Sequence, residues 1–163
     1  MKAKMLRALL PIAIVFTMVS CSTSETDEAP APIVQNFSYS TVELDLMDQI
    51  NTYRVSVGLN ALQSINHISY KSAEHNDYMI DNDVVGHQQF EQRANNIKQV
   101  LGAVKVSENV AYNFQSNEGV LNAWLLSDGH KENLEGDYTH FGISIKTNPV
   151  NGKKYYTNIF MKR

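Results

Sequence analysis

The chain contains a single cysteine, Cys21, and that one residue decides how the protein must be held together. Ahead of it, Lys2, Lys4 and Arg7 precede or flank the start of the apolar run ALLPIAIVFTMV. A basic segment followed by an apolar stretch too short to span a bilayer as a stable helix is a secretory signal. The chain is therefore expected in an oxidising compartment, where small domains commonly rely on disulfides. With one cysteine none can close inside the domain, so stability must come from packing.

Cys21 also ends the sequence MVSC, in which a small residue directly precedes the cysteine. This resembles the lipobox at which bacterial lipoproteins are cleaved and acylated on the new N-terminal cysteine. The resemblance implies a lipoprotein signal peptide over residues 1–20, a membrane anchor at Cys21, and a place in the bacterial cell envelope outside the cytoplasm. An ordinary signal peptide, cut nearby and leaving a free thiol, is the alternative. Residues 21–40, CSTSETDEAPAPIVQNFSYS, are rich in Ser, Thr, acids and Pro without periodicity and read as a flexible tether. Residues 41–163 have the length of one domain with a single core, expected as a monomer. Without Lys2, Lys4 and Arg7 the 14 cations fall to 11 against 17 acids, a net −6 that excludes a basic footprint for nucleic acid.

Along the domain, VELDLMDQINTYRVSVGL places Leu46, Met47, Ile50, Tyr53 and Val57 at helical spacing, with Gly58 as a stop. INHISYKSAEHNDYMIDN puts Ile68, Ser72, His75 and Met79 on one stripe, so His75 reads first as a buried neutral histidine satisfied by a hydrogen bond. FEQRANNIKQVLGA is a weaker helical pattern closing at Gly102. VKVSENVAYNF alternates, and Val104, Val106, Glu108, Val110 and Tyr112 share one face of a strand. If that face is buried, Glu108 needs a cation, a metal or several donors; otherwise an edge or bend turns it to water.

Ser116 can cap the helix SNEGVLNAWLLS, whose core stripe is Val120, Leu121, Trp124 and Leu125. Asp128 and Gly129 are read as its break, releasing His130 to face away from the core. FGISIKT and KKYYTNIFM alternate on either side of a turn with Pro149 and Asn151-Gly152, a hairpin signal. Helices first, then strands mixed among them, predict an α+β domain.

Three polar residues lie at element ends or on unexpected faces: His87 in VVGHQQF, Glu108 in SENVAY and His130 in SDGHKENL. None forms a local signature such as HExxH. With their surroundings, however, the ordered segments INTYRVSVGLNAL, AEHNDYM, GH, ENVAY and AWLLSDGHKENLEGDYTHFGISI resemble the CAP superfamily, which includes cysteine-rich secretory proteins, antigen-five allergens and pathogenesis-related proteins. The likeness covers about Val42 to Met161.

It implies a three-layer α-β-α sandwich with a central, largely antiparallel sheet and a cleft in which two histidines and two acids gather, the histidines in some members holding a divalent metal such as zinc. On this chain the matching positions are His87, Glu108 and His130, as cleft residues, with His87 and His130 as the metal pair. The family's second glutamate is replaced by Ser127, and the glycine before its first glutamate by Ser107. Glu91 and Asp128 are the nearby acids that could substitute, although neither matches the motif.

Two imidazoles and a carboxylate can form a three-ligand zinc site with an open position, whose bound water is acidic enough to attack a carbonyl. On that reading the chain is a metal-dependent hydrolase of the envelope, peptidase or esterase-like, with Glu108 as base or third ligand. The other reading is a binding module whose cleft takes a lipid, a peptide or a glycan. The sequence offers no nucleophile with a paired base and no GxSxG elbow, so binding comes first. A third reading is a passive scaffold whose polar residues satisfy one another. Tyr138, Tyr155 and Tyr156 are expected to pack rather than to line a glycan surface, and His140 to lie at the surface.

Overall fold

A computed structural model describes residues 34–163. The signal, the lipobox and most of the tether lie outside the described residues. The elements run α1 (Thr41–Ser56), β1 (Gln63–Ser64), α2 (Asn66–Asp81), α3 (Phe90–Leu101), β2 (Lys105–Tyr112), α4 (Asn117–Leu125), α5 (Asp128–Leu134), β3 (His140–Thr147) and β4 (Lys154–Lys162). The sheet order is β1-β3-β4-β2, antiparallel except for the two-residue parallel pairing of β1 with β3. β2 is thus an edge strand.

Alternation along β4 divides the core into two layers. Tyr156 and Phe160 join Leu46, Met47 and Ile50 of α1 and Val120 and Trp124 of α4. Ile159 and Met161 pack instead with Ile68 of α2 and Ile97 of α3, and Tyr155 with Met79. The result is the expected α+β architecture, an α-β-α sandwich with a largely antiparallel sheet. Trp124 anchors α4 to the sheet by donating its indole N–H to the Val110 carbonyl at 3.0 Å.

Local sequence explains most element ends. Ser40 and Glu43 form a reciprocal capping box that starts α1, and Gly58 ends its turn at φ 83°. Val57 is exposed rather than on the core stripe, because it is the cap residue after the last helical turn. Gly102 closes α3 at φ 68°, and Ser116 caps α4 by accepting from Gly119 N–H at 3.1 Å. Val104 is also exposed: β2 begins one residue later, at Lys105. The β3–β4 hairpin turns through residues 148–153, where Gly152 has φ 71° and its N–H donates to the Asn148 carbonyl at 2.9 Å.

Two sequence expectations change. The break after α4 falls at Leu126 and Ser127, and Asp128, Gly129 and His130 already belong to α5. Gly129 is an ordinary helical residue without positive φ, so it is the start of a second helix, not a glycine kink, that places His130. Residues 35–40, counted with the tether by composition, lie against α2: Gln35 N–H donates to His67 Nδ1 at 3.1 Å, and Tyr39 Oη meets Ser69 Oγ at 2.9 Å. Tyr138, Tyr155 and Tyr156 are buried and pack in the core. His140 is half-buried, its Nδ1 2.8 Å from Thr139 Oγ1.

Candidate functional site

Successive side chains of a strand point to opposite faces, and on the edge strand β2 this makes Glu108 and Asn109 organise opposite sides of one cleft. Glu108 faces the α2 and α3 layer. Arg93 of α3 grips it with a fork, Nε donating to Oε2 at 2.9 Å and Nη2 to Oε1 at 2.8 Å. Arg93 Nη1 also donates to the Gln88 carbonyl at 2.7 Å, fixing the loop that enters α3. His87, on that loop, places Nδ1 3.0 Å from Glu108 Oε1. A carboxylate held this way only accepts, so Nδ1 of His87 carries the proton, and in the neutral ring Nε2 is left with its lone pair. His87 is half exposed, whereas the Glu108 side chain is 1% exposed.

Asn109 faces the other layer. Its Nδ2 donates to the His130 carbonyl at 3.0 Å, and its Oδ1 accepts from Asn133 Nδ2 at 2.9 Å, tying both ends of α5's first turns to β2. The His130 ring then stands 6.4 Å from the His87 ring, centroid to centroid, tilted by 44°. Burial and, secondarily, the neighbouring His87 push the His130 pKa down, which favours its neutral form.

Of the residues expected to share a site, the fold brings His87 against Glu108 and His87 near His130. No hydrogen bond or ion pair among the described residues joins His130 directly to Glu108. Glu91 and Asp128, the candidate substitute acids, are exposed first-turn residues of α3 and α5 and make no ion pair with the cleft among the described residues. Ser127, at the family-glutamate position, is the N-cap of α5 and makes no side-chain cap bond. The second acid of the tetrad is therefore not supplied from those positions.

Two further residues belong to the site. Arg93 was hidden in a helix whose pattern is weak, yet it lies three residues after Phe90 and four before Ile97, on the apolar stripe itself. A cation on the inward stripe of one element is the complement of a carboxylate on the inward face of another. His75 of α2 donates from Nε2 to the Gly86 carbonyl at 2.7 Å, as a buried neutral histidine should, and lies 3.8 Å from Glu108 Oε1. Burial lowers its pKa more than Glu108 raises it, and its Nδ1 is buried without a partner among the described residues.

The donor set limits what the cleft can hold. Two neutral imidazoles suit a borderline divalent cation such as zinc. Glu108, the carboxylate expected as base or third ligand, accepts from Arg93 at both oxygens and from His87 at Oε1, which orients the His87 ring. No group of three or more His, Cys, Asp or Glu side chains gathers in metal-binding geometry among the described residues.

An α-β-α sandwich with paired histidines and a supported glutamate at the β2 edge of its sheet presents a polar cleft. Residues 47–160 match the CAP family, described as the cysteine-rich secretory protein family, and the chain belongs to it. It is similar to an uncharacterized membrane protein of Bacillus subtilis, YlbC, with 31% identity over 130 residues, 76% of this chain. The chain spans only about a third of that curated relative, 35% of its length.

Among solved structures, an outer surface protein from Borrelia burgdorferi has the same fold with a TM-score of 0.70 at 22% identity, covering 80% of this chain and 99% of that one. An extracellular protein containing an SCP domain from Bacillus anthracis superposes with a TM-score of 0.65 at 22% identity, covering 74% of this chain and 40% of that one.

Proposed function

We propose that this CAP-domain protein works outside the cytoplasm, anchored to the envelope membrane through an acylated Cys21, and that the cleft between His87 and His130 is a binding site. The observation that carries the reading is the state of Glu108. Forked by Arg93 and bonded to His87, its carboxylate already accepts three hydrogen bonds, two of them from a guanidinium, an arrangement that suits orienting an imidazole better than taking a proton. What remains open to a ligand is the Nε2 edge of His87 and the ring of His130. Such a pair can accept hydrogen bonds from a peptide, a glycan or a lipid headgroup, or hold a divalent metal that exchanges easily because the protein supplies few ligands. If a metal is bound, it would supply Lewis acidity; His87 and His130 would hold it.

The membrane and surface descriptions of the relatives support an extracytoplasmic location, as does the signal-like N-terminus. Hydrolysis is the less supported reading, since it needs Glu108 free as base or ligand. Zinc titration calorimetry on the intact chain, beside His87→Ala and His130→Ala, tests the site. One saturable zinc site lost in both variants is expected. Zinc binding that survives both substitutions would remove the histidine pair from the reading, and turnover of a peptide or ester that vanishes in His130→Ala would replace binding by catalysis.

A further inference from the structure

A cavity of about 380 Å3 lies between α2 and α3, with His75 and Arg93 in its wall. Its volume falls within the roughly 300–1,000 Å3 typical of small-ligand sites. We propose that this cavity binds a neutral saccharide through the amide side chains of Gln89, Gln92 and Asn96 and the Tyr78 ring.

The charges around the cavity cancel. Arg93 is spent on Glu108 and the Gln88 carbonyl, and Lys71 pairs with Glu74 at 2.7 Å. An ion would find no unpaired countercharge there. What the walls offer instead is hydrogen bonding by neutral groups: Gln89, Gln92 and Asn96 from the α3 side and Tyr78 from α2. Primary amides present a donor and an acceptor side by side, which matches two neighbouring hydroxyls, and a tyrosine ring gives a flat apolar face for the C–H side of a sugar ring.

The polarity of each group follows from the bonds already made. Gln35 N–H donates to His67 Nδ1 at 3.1 Å, so His67 carries its proton on Nε2 and gives it to Asn96 Oδ1 at 2.8 Å. Asn96 is thereby fixed with its NH2 as the remaining group, a donor. His75 gives Nε2–H to the Gly86 carbonyl and, 1% exposed, forms part of the cavity wall rather than a hydrogen-bonding group open to a ligand. Tyr78 stacks near His75, with ring centroids 6.3 Å apart and planes 15° from parallel, so the two rings form adjoining parts of the wall. Gln89 holds a left-handed backbone, φ 59°, a conformation unfavourable for any residue but glycine and concentrated at binding sites. The Asn96 NH2, two flexible amides and an aromatic ring, among charges that are already paired, fit a polyhydroxylated neutral molecule better than an acid, a base or a lipid chain.

His75 and Arg93 line this cavity and also support the histidine cleft, so the two assignments are separated by their probes, a sugar here and zinc there. The full chain in detergent micelles is titrated by calorimetry with two probes, cellobiose and N,N′-diacetylchitobiose, and the bound state is mapped by hydrogen exchange and mass spectrometry. Saturable binding of at least one probe is expected, with slowed exchange confined to residues 71–78 and 89–96. Gln92→Ala, an exposed helical position that leaves the core untouched, is expected to weaken binding about fivefold, the loss of one hydrogen bond. Tyr78→Ala is expected to abolish it. The inference is overturned if neither sugar binds, if the protection maps elsewhere, if Gln92→Ala binds as the parent does, or if only a charged peptide occupies this cavity.

Discussion

Without its guanidinium, Arg93 would leave the Glu108 side chain, 1% exposed, with His87 as its one remaining hydrogen-bond donor from a side chain. A buried ion pair adds little over a well-packed apolar pair, but losing one partner strands the other, at about 3–5 kcal/mol. Arg93→Met is therefore expected to lower the stability of the domain by that amount in urea unfolding, and Arg93→Lys to restore less than half of it, because an ammonium cannot make the fork. The double variant Arg93→Met/Glu108→Leu should be more stable than Arg93→Met alone; equal instability would show that the charge is not the cause.

The sequence announced one half of this pair. Glu108 on an apolar strand face stated a need for a cation or several donors, but Arg93 sat in a pattern too weak to say which face pointed inward. His130 shows the other limit. Its proximity to His87 was implied by the family resemblance of the ordered motifs, while the device that places it, a helix beginning at Asp128 rather than a kink at Gly129, depends on packing of α5 against Asn109 that no local signal encodes.

At the scale of elements, α2 is the segment whose pattern understates its burial. Five of its buried residues are polar, His67, Ser69, Ser72, His75 and Asn76, which an amphipathic reading counts against a core helix. They are buried because the helix docks on β3 through hydrogen bonds. β1 covers only the first two residues of β3, and beyond it the Ile143 amide is taken by Ser69 Oγ at 3.0 Å and the Ile145 amide by Glu43 Oε1 at 2.9 Å. Ser72 Oγ donates to the Gly142 carbonyl at 3.0 Å, and Asn76 Nδ2 to the Ser144 carbonyl at 2.8 Å. Side chains of α1 and α2 thus do for this edge what a longer neighbouring strand would do, which also blunts it against pairing with other chains.

So close a seat requires Gly142. A Cβ there would stand 2.3 Å from Ser69 N and 2.6 Å from the Ile68 carbonyl carbon, both main-chain atoms that cannot swing aside. Gly142→Ala is expected to cost about 3 kcal/mol, the upper end for overpacking, and to speed amide exchange along α2 before α4 in hydrogen-exchange measurements. A change below about 0.5 kcal/mol, the range of substitutions that touch nothing important, would mean that the helix lifts freely and that the hydrogen bonds to β3 carry little.

For the molecule as a whole, the single cysteine separates stability from attachment. A domain held entirely by packing has no covalent crosslink to lose, so its melting temperature should be indifferent to reductant, unlike that of a disulfide-stapled secreted domain, where removal of a bridge typically costs about 2–5 kcal/mol. The α+β class is legible because helical spacing in the first half and strand alternation in the second can be read from the residues, and the three layers follow from the alternation along β4; neither needs a crosslink to fix it. On the proposed lipoprotein reading, Cys21 serves attachment alone. Since one acyl chain gives only marginal membrane binding and two hold firmly, replacing the cysteine should act on location without touching the fold. Cys21→Ser is expected to move the chain from the membrane fraction to the aqueous fraction while its urea midpoint stays unchanged, read by fractionation and unfolding of the same preparation. A variant that stays with the membrane would place the attachment elsewhere, and one that loses stability would mean that residues near Cys21 contribute to the packed domain.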